Sequence, residues 1–217
     1  MTNNENKKIR QRVRIRFRKE GDLRLIGHRD LVRTVERAIR RAGVQLSMTE
    51  GFHPKARLGF PLALSVGIAG QQEVMEIDFS ENVEVESLTN LLMDEFPEGL
   101  TIEDLQLVPE GTKKAKVAKV VYEVPIPEEQ LETARHAAQS LMNQPECMST
   151  RAGRTMPIDL RANLVALEFE DGQLRIEQTT SAAAMASPRD VLNQLGLTEL
   201  EKLGHHLTRT QVQLVAT

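Results

Sequence analysis

The sequence predicts an α+β fold made of two ferredoxin-like β-α-β-β-α-β halves with antiparallel sheets. Three observations predict it. Stretches of period-2 alternation and stretches of helical periodicity follow one another as strand, helix, strand, strand, helix, strand, and that order then recurs. The run Pro109-Glu110-Gly111-Thr112-Lys113-Lys114 separates the two series and reads as a linker. Charge is segregated as well: residues 1–57 carry 16 Lys/Arg against 6 Asp/Glu, and residues 58–217 carry 12 against 25. The expected division is a basic N-terminal half, residues 1–110, carrying the site, and an acidic C-terminal half, residues 111–217.

The first strand is the strongest single feature. Ile9, Val13, Ile15 and Phe17 alternate with Arg10, Arg12, Arg14, Arg16 and Arg18. Side chains two apart on a strand share a face, so one side is apolar and the other is a row of guanidinium groups. Glu20-Gly21-Asp22 reads as a turn and residues 23–26 as a short extended return. Helix one is expected over residues 29–42, through Leu31, Val32, Val35, Ala38, Ile39 and Ala42. Asp30 in its first turn and Arg40 and Arg41 in its last suit the helix dipole, with Gly43 as the stop. Arg29, Arg33, Glu36, Arg37 and Arg40 fall on its outward side.

Residues 44–48 read as a short strand and residues 49–57 as a loop carrying His53, Lys55 and Arg57. A β region over 58–68, a turn at 69–72 and an alternating strand over 73–79 follow. An amphipathic helix over 85–96 and a strand over 100–108 close the first series. The second series has a strand over 116–125, a helix over 127–143, a mostly extended stretch over 156–170 and a hairpin turn at Asp171-Gly172. Its partner strand covers 174–180. Ser187-Pro188 begins a short helix that Gly196 stops, and residues 207–215 form the last strand.

Several chemistries are excluded. Cys147 is the single cysteine, so this chain by itself holds no disulfide framework, Cys-rich zinc site or iron–sulfur cluster. Nucleophile-elbow, phosphate-loop, dinucleotide-binding and metal-helix patterns are absent, and no cofactor is expected. No apolar run approaches the ~18 residues of a membrane span. The polar start lacks the apolar core of a signal peptide, so a cytoplasmic protein with no membrane partner is expected. His205-His206 and His136 read as structural or surface residues.

What remains is anion binding. Five like charges on one strand face repel, so they need counter-charges. Glu73, Glu76 and Asp78 could supply them within the chain, an acidic partner could supply them from outside, or RNA phosphates could do so. With no Trp and one Tyr, an aromatic platform that reads bases is not expected. The loop Gly51-Phe52-His53-Pro54-Lys55 can aim an imidazole and an ammonium at one anion. His28 sits at the helix start, where backbone N–H groups favour phosphate.

Lys19-Glu20-Gly21-Asp22-Leu23-Arg24, Gly27-His28-Arg29-Asp30, Glu36-Arg37-Ala38-Ile39-Arg40-Arg41-Ala42-Gly43 and Gly51-Phe52-His53-Pro54-Lys55 resemble the radical-SAM-linked protein family. That family is a bacterial domain of unknown function, found alone or fused behind radical SAM proteins. Ile158-Asp159-Leu160-Arg161, Ser187-Pro188-Arg189 and Arg209-Thr210 extend the resemblance over nearly the whole chain. Gly27 departs from it, standing where the family has Ser. The resemblance implies an accessory role beside a radical SAM protein and an RNA-related task. The expected function is RNA binding, to tRNA or rRNA, through Arg12, Arg14, Arg16, Arg24, Arg33, Arg37, Arg40, Arg41, Lys55 and Arg57, focused on His28 and His53. One alternative is an enzyme acting on a small anionic substrate, with His28 and His53 as acid and base and Asp30 orienting an imidazole. Another is a docking module for the radical SAM partner.

Overall fold

A computed structural model describes residues 10–150, 156–180 and 185–216. Among them the chain is a mixed α/β protein with mostly antiparallel strand pairing and four α-helices. Ile9, expected on the apolar face of the first strand, lies outside the described residues. In order, the elements are β1 (Gln11–Lys19), α1 (His28–Arg41), β2 (Leu58–Gly59), β3 (Ala69–Phe79), α2 (Val85–Glu95), β4 (Leu100–Val108), β5 (Val117–Pro125), α3 (Glu128–Met142), β6 (Met148–Ser149), β7 (Ile158–Asp159), β8 (Leu164–Glu170), β9 (Gln173–Thr179), α4 (Pro188–Gln194) and β10 (Thr208–Leu214). The chain clusters into two compact units. Of the described residues, the first holds 10–66, 72–116 and 216; the second holds 67–71, 117–150, 156–180 and 185–215.

In the first unit the strand order is β4-β1-β3, with β2 paired to β3. Alternation on β1 works as expected: Val13, Ile15 and Phe17 are fully buried. They join Leu31, Val35 and Ile39 of α1, Met75, Ile77 and Phe79 of β3, and Leu88 and Leu92 of α2 in one core. Burying each such side chain contributes roughly 1.5–3 kcal/mol, which is what seats both helices on this face of the sheet.

The same face ends on Lys19, which is 1% exposed. Its ammonium donates to the carbonyls of Ile26 (3.1 Å) and Arg24 (3.4 Å). That anchoring curls residues 21–25 into a 3-10 turn, where an extended return was expected. A buried ammonium needs several acceptors close together, and an extended chain would carry one of those carbonyls away.

Three further expectations change. Residues 69–72 are the start of β3 instead of a turn: Ala69 and Gly70 pair in parallel with Thr208 and Arg209 inside the second unit. Local composition, Ala-Gly-Gln-Gln, hid a pairing that depends on residues far along the chain. Residues 44–48 make only isolated bridges, Leu46 to Phe79 and Met48 to Ala56, and the β region expected over 58–68 shrinks to Leu58–Gly59. The expected linker at 109–114 is a strap of the first unit: the Thr112 carbonyl accepts from Arg12, and the Ala115 N–H donates to Glu76. Residues 111–116 therefore go with the first unit.

In the second unit the strand order is β10-β5-β9-β8, antiparallel throughout, with the first residues of β3 beside β10. Asp171 (φ +48°) and Gly172 (φ +73°) make the β8–β9 hairpin turn. Ser187 and Asp190 form a reciprocal capping box at the start of α4. The stretch expected to be extended over 156–170 is broken, with Ile158–Asp159 pairing to Met148–Ser149 and Leu164–Glu170 forming β8.

Candidate nucleic-acid interface

The arginine row on β1 is largely matched by carboxylates. Arg10 and Arg12 both bind Asp78, at 2.5 and 3.0 Å, and Arg14 binds Glu76 at 2.9 Å. Both acids lie on β3, the strand beside β1, and their side chains are 6% and 9% exposed. Arg18 pairs with Glu20 and Glu103, and the Glu20 hydrogen bond raises its pKa further. Arg16 reaches the Gln72 carbonyl at 3.5 Å. The acids come from a particular stretch: residues 58–110 contain no Lys or Arg at all. The first unit thus carries its own counter-charge, and the basic character expected of residues 1–110 is confined to their first 57.

Helix α1 presents its arginines differently. Arg29, Arg33, Arg37 and Arg40 are exposed along one side, with steps of four, four and three residues, so successive positions rise by ~4.5–6 Å along the axis. Arg33 pairs loosely with Asp30 (3.3 Å) and Arg40 with Glu36 (3.9 Å), both open to solvent. Arg29 and Arg37 have no ion pair or hydrogen bond among the described residues. Arg41 turns away to bind the Glu95 side chain and carbonyl at the end of α2. Arg24 is folded onto the Gly21 carbonyl at 2.8 Å.

The loop over residues 49–57 rises from the sheet edge on a hydrogen-bonded base. Met48 bridges Ala56, the Thr49 N–H donates to the Lys55 carbonyl (2.8 Å), and the Lys55 N–H donates to the Thr49 hydroxyl (2.9 Å). Arg57 is half-buried, its Nε donating to the Met48 carbonyl at 3.1 Å. Beneath the loop lies a cleft of about 360 Å³. Arg12, Lys55, Arg57 and Lys114 line it together with Glu76, Asp78 and Phe60. Four cations against two acids leave it net positive. A second cleft, about 800 Å³, lies by Arg10, Arg12 and Asp78 at the other side of the strap.

No histidine lines either of these clefts. His28 opens α1 and packs edge-on against the Phe60 ring, 5.2 Å between centroids. His53 is exposed on the loop. Neither lines either cleft, and Asp30 binds Arg33. His205 and His206 lie just before β10 and not on it, and His136 is exposed. Among the described residues no group of three or more His, Cys, Asp or Glu could hold a metal ion, and no helix is long and apolar enough to cross a membrane.

Four contributors lie outside the expected binding set, the first of them Arg29 at the start of the α1 ridge. Phe60 joins the His28 helix start to the cleft; Lys114 comes from the strap; Phe52 stands fully exposed at the loop tip. Lys113-Lys114 next to Gly111 was the available signal for the strap, and an aromatic between Gly51 and His53 was the signal for the tip.

Comparison with known proteins gives a family and no named activity. No curated protein matches the sequence. Among solved structures, the chain is similar to an unknown protein from Galdieria sulphuraria, with 13% identity, 96% of this chain and 100% of that one covered, and a TM-score of 0.26. It is also similar to a putative glycine cleavage system transcriptional repressor, with 11% identity, coverage of 96% and 99%, and a TM-score of 0.26. Residues 12–190 match the profile of an uncharacterised protein family conserved in bacteria, DUF2344, and the chain belongs to that family.

Proposed function

We propose, with membership of that family as the premise, that this chain is an RNA-binding accessory protein that holds phosphates on the outward face of α1 and on the 49–57 loop. The observation that carries this reading is the ridge Arg29, Arg33, Arg37 and Arg40, exposed and at most loosely paired, while Arg12 and Arg14 of β1 are tied to buried acids. Exposed guanidinium groups at regular spacing suit phosphate oxygens, which they bind through a planar fork. Lys55 and the cationic cleft extend the same surface chemistry. Arg12, which lines the cleft with its partner Asp78, then acts as its electrostatic floor, and neither Arg12 nor Arg14 is a primary phosphate ligand.

The resemblance of residues 19–55 to the radical-SAM-linked family supplies the partner in this reading: the RNA is presented to a radical SAM enzyme in the cytoplasm. Two ferredoxin-like halves are the fold proposed to carry it. The orders β4-β1-β3-β2 and β10-β5-β9-β8 support that description, since each places the first strand of its series beside the third and the fourth. The acid–base alternative finds less support, because no cleft described above is lined by a histidine.

The test is a salt series with a tRNA or an rRNA fragment. Each phosphate contact contributes about 0.9 to the log–log slope on duplex and about 0.7 on single strand. Replacing both Arg29→Glu and Arg37→Glu should flatten the slope by at least the equivalent of two contacts. Failure of the wild-type protein to bind RNA at low salt would overturn the reading.

A further inference from the structure

Phe52 is the most exposed large apolar side chain among the described residues, with its ring wholly in solvent. It buries nothing, so folding gives no reason for it. Nor is it a loose tip residue. The loop is closed at its base by the Met48–Ala56 bridge, the Thr49–Lys55 pair of hydrogen bonds and the Arg57–Met48 contact. Gly51 holds φ at +118°, a conformation that side-chain-bearing residues rarely adopt, and Pro54 fixes its own φ three residues later. Phe52 is therefore held out from the protein by a restrained tip.

Its surroundings are cationic. His53 and Lys55 are exposed on the same loop, and Lys55 and Arg57 line the cleft together with Lys114 of the strap. Glu50 is the one acid on the loop, and Glu76 and Asp78 at the cleft floor are already bound to Arg14 and to Arg10 and Arg12. An apolar ring fully in water, on a loop that also exposes His53 and Lys55, suits a nucleotide whose base is free to stack. Bases inside a duplex are already stacked on their neighbours and offer no free face to a loop of this kind.

We infer that Phe52 stacks on an unpaired base of RNA while Lys55 and Arg57 hold the flanking phosphates, so that the site takes single-stranded RNA. This rests on the RNA-binding reading above and narrows it from shape and charge to an unpaired segment. Stacking of this kind is worth on the order of tenfold in affinity per base, and it tolerates sequence because every base has a π-face.

The probes are an unstructured oligoribonucleotide of about twelve residues, within the span a compact module covers, and a duplex of the same length. Phe52→Ala should bind the single strand about tenfold more weakly than wild type, bind the duplex as wild type does, and keep the wild-type Tm. The chain has no Trp, so Phe52→Trp introduces a single reporter at the tip; its fluorescence should be quenched as the oligonucleotide saturates, with affinity retained. Wild-type affinity of Phe52→Ala for the single strand, equal losses on strand and duplex, or an unchanged Trp signal at saturation would each overturn the inference while leaving RNA binding standing. Absence of wild-type binding to both probes would overturn the RNA reading itself.

Discussion

Two runs of arginine in the first unit, one on β1 and one on α1, look alike in sequence and differ in what they meet. Arginine recurs every second residue on β1 and every third or fourth on α1. On β1 the neighbouring strand β3 places Asp78 and Glu76 under the guanidinium groups, and the strap over residues 112–115 closes above them. The row becomes a half-buried ionic network. On α1 the arginines look outward and their partners, Asp30 and Glu36, are near neighbours on the same helix with solvent between. An exposed pair is worth ~0–1 kcal/mol, whereas removing one partner of a largely buried pair leaves an uncompensated charge and costs more. The first set therefore contributes to stability and the second is available for binding.

That contrast is easiest to break at Asp78, which faces two arginines. Asp78→Ala leaves Arg10 and Arg12 without their acid, and the expected loss is about 2–4 kcal/mol of stability in urea unfolding, since breaking a buried pair costs far more than an exposed one. A loss below about 1 kcal/mol would mean that the row is solvated in practice. A smaller and sharper comparison is Arg14→Gln against Arg37→Gln. The first removes the Glu76 partner and should cost about 1–2 kcal/mol, while the second should stay within about 0.5 kcal/mol and weaken RNA binding instead. Equal effects of the two on stability would erase the distinction drawn between strand and helix.

The smallest expected effect lies in the second unit, where Glu177 gives a control that takes no part in the arginine pairs of β1 and α1. The hydrogen bond from Lys119, with Arg175 assisting, lowers its pKa against a burial penalty that would raise it. A lowered folded-state pKa gives stability that is present above the ordinary carboxylate range of about 4–5 and is lost as pH falls through the folded value. The stability difference between wild type and Glu177→Gln should be flat at neutral pH and shrink on acidification below about pH 4. A difference that grows toward low pH would reverse the sign and refute the assignment.

Much of the secondary structure was legible locally because each element states its own period and its own ends. The residues of α1, α2, β4, α3 and α4 agree with expectation to within about two positions, the ordinary uncertainty of helix ends. Gly43 (φ +75°) and Gly196 (φ +76°) stop their helices where the sequence placed the stops. What failed locally were segments whose partners are distant: residues 69–72 pair with β10, residues 23–26 are curled around Lys19, and residues 112–115 bond to β1 and β3.

The site was legible only in outline. Periodicity put Arg29, Arg33, Arg37 and Arg40 on the outward side of α1, because a helix face depends on spacing alone. Whether the β1 arginines are free or neutralised was open until the neighbouring strand was known, although Glu76 and Asp78 were named among the candidates. Phe52 could be read as a loop residue but not as a solvent-held ring, because exposure depends on everything that fails to cover it.

By itself, then, the chain determined its alternation, its helix faces, its stops and its segregation of charge, all set by interactions within a few residues. Only the tertiary structure decided which cations keep their charge exposed. A charge-assisted hydrogen bond needs its partners about 3 Å apart, and Asp78, 66 residues from Arg12 in sequence, comes within 3.0 Å of it only after the sheet has formed.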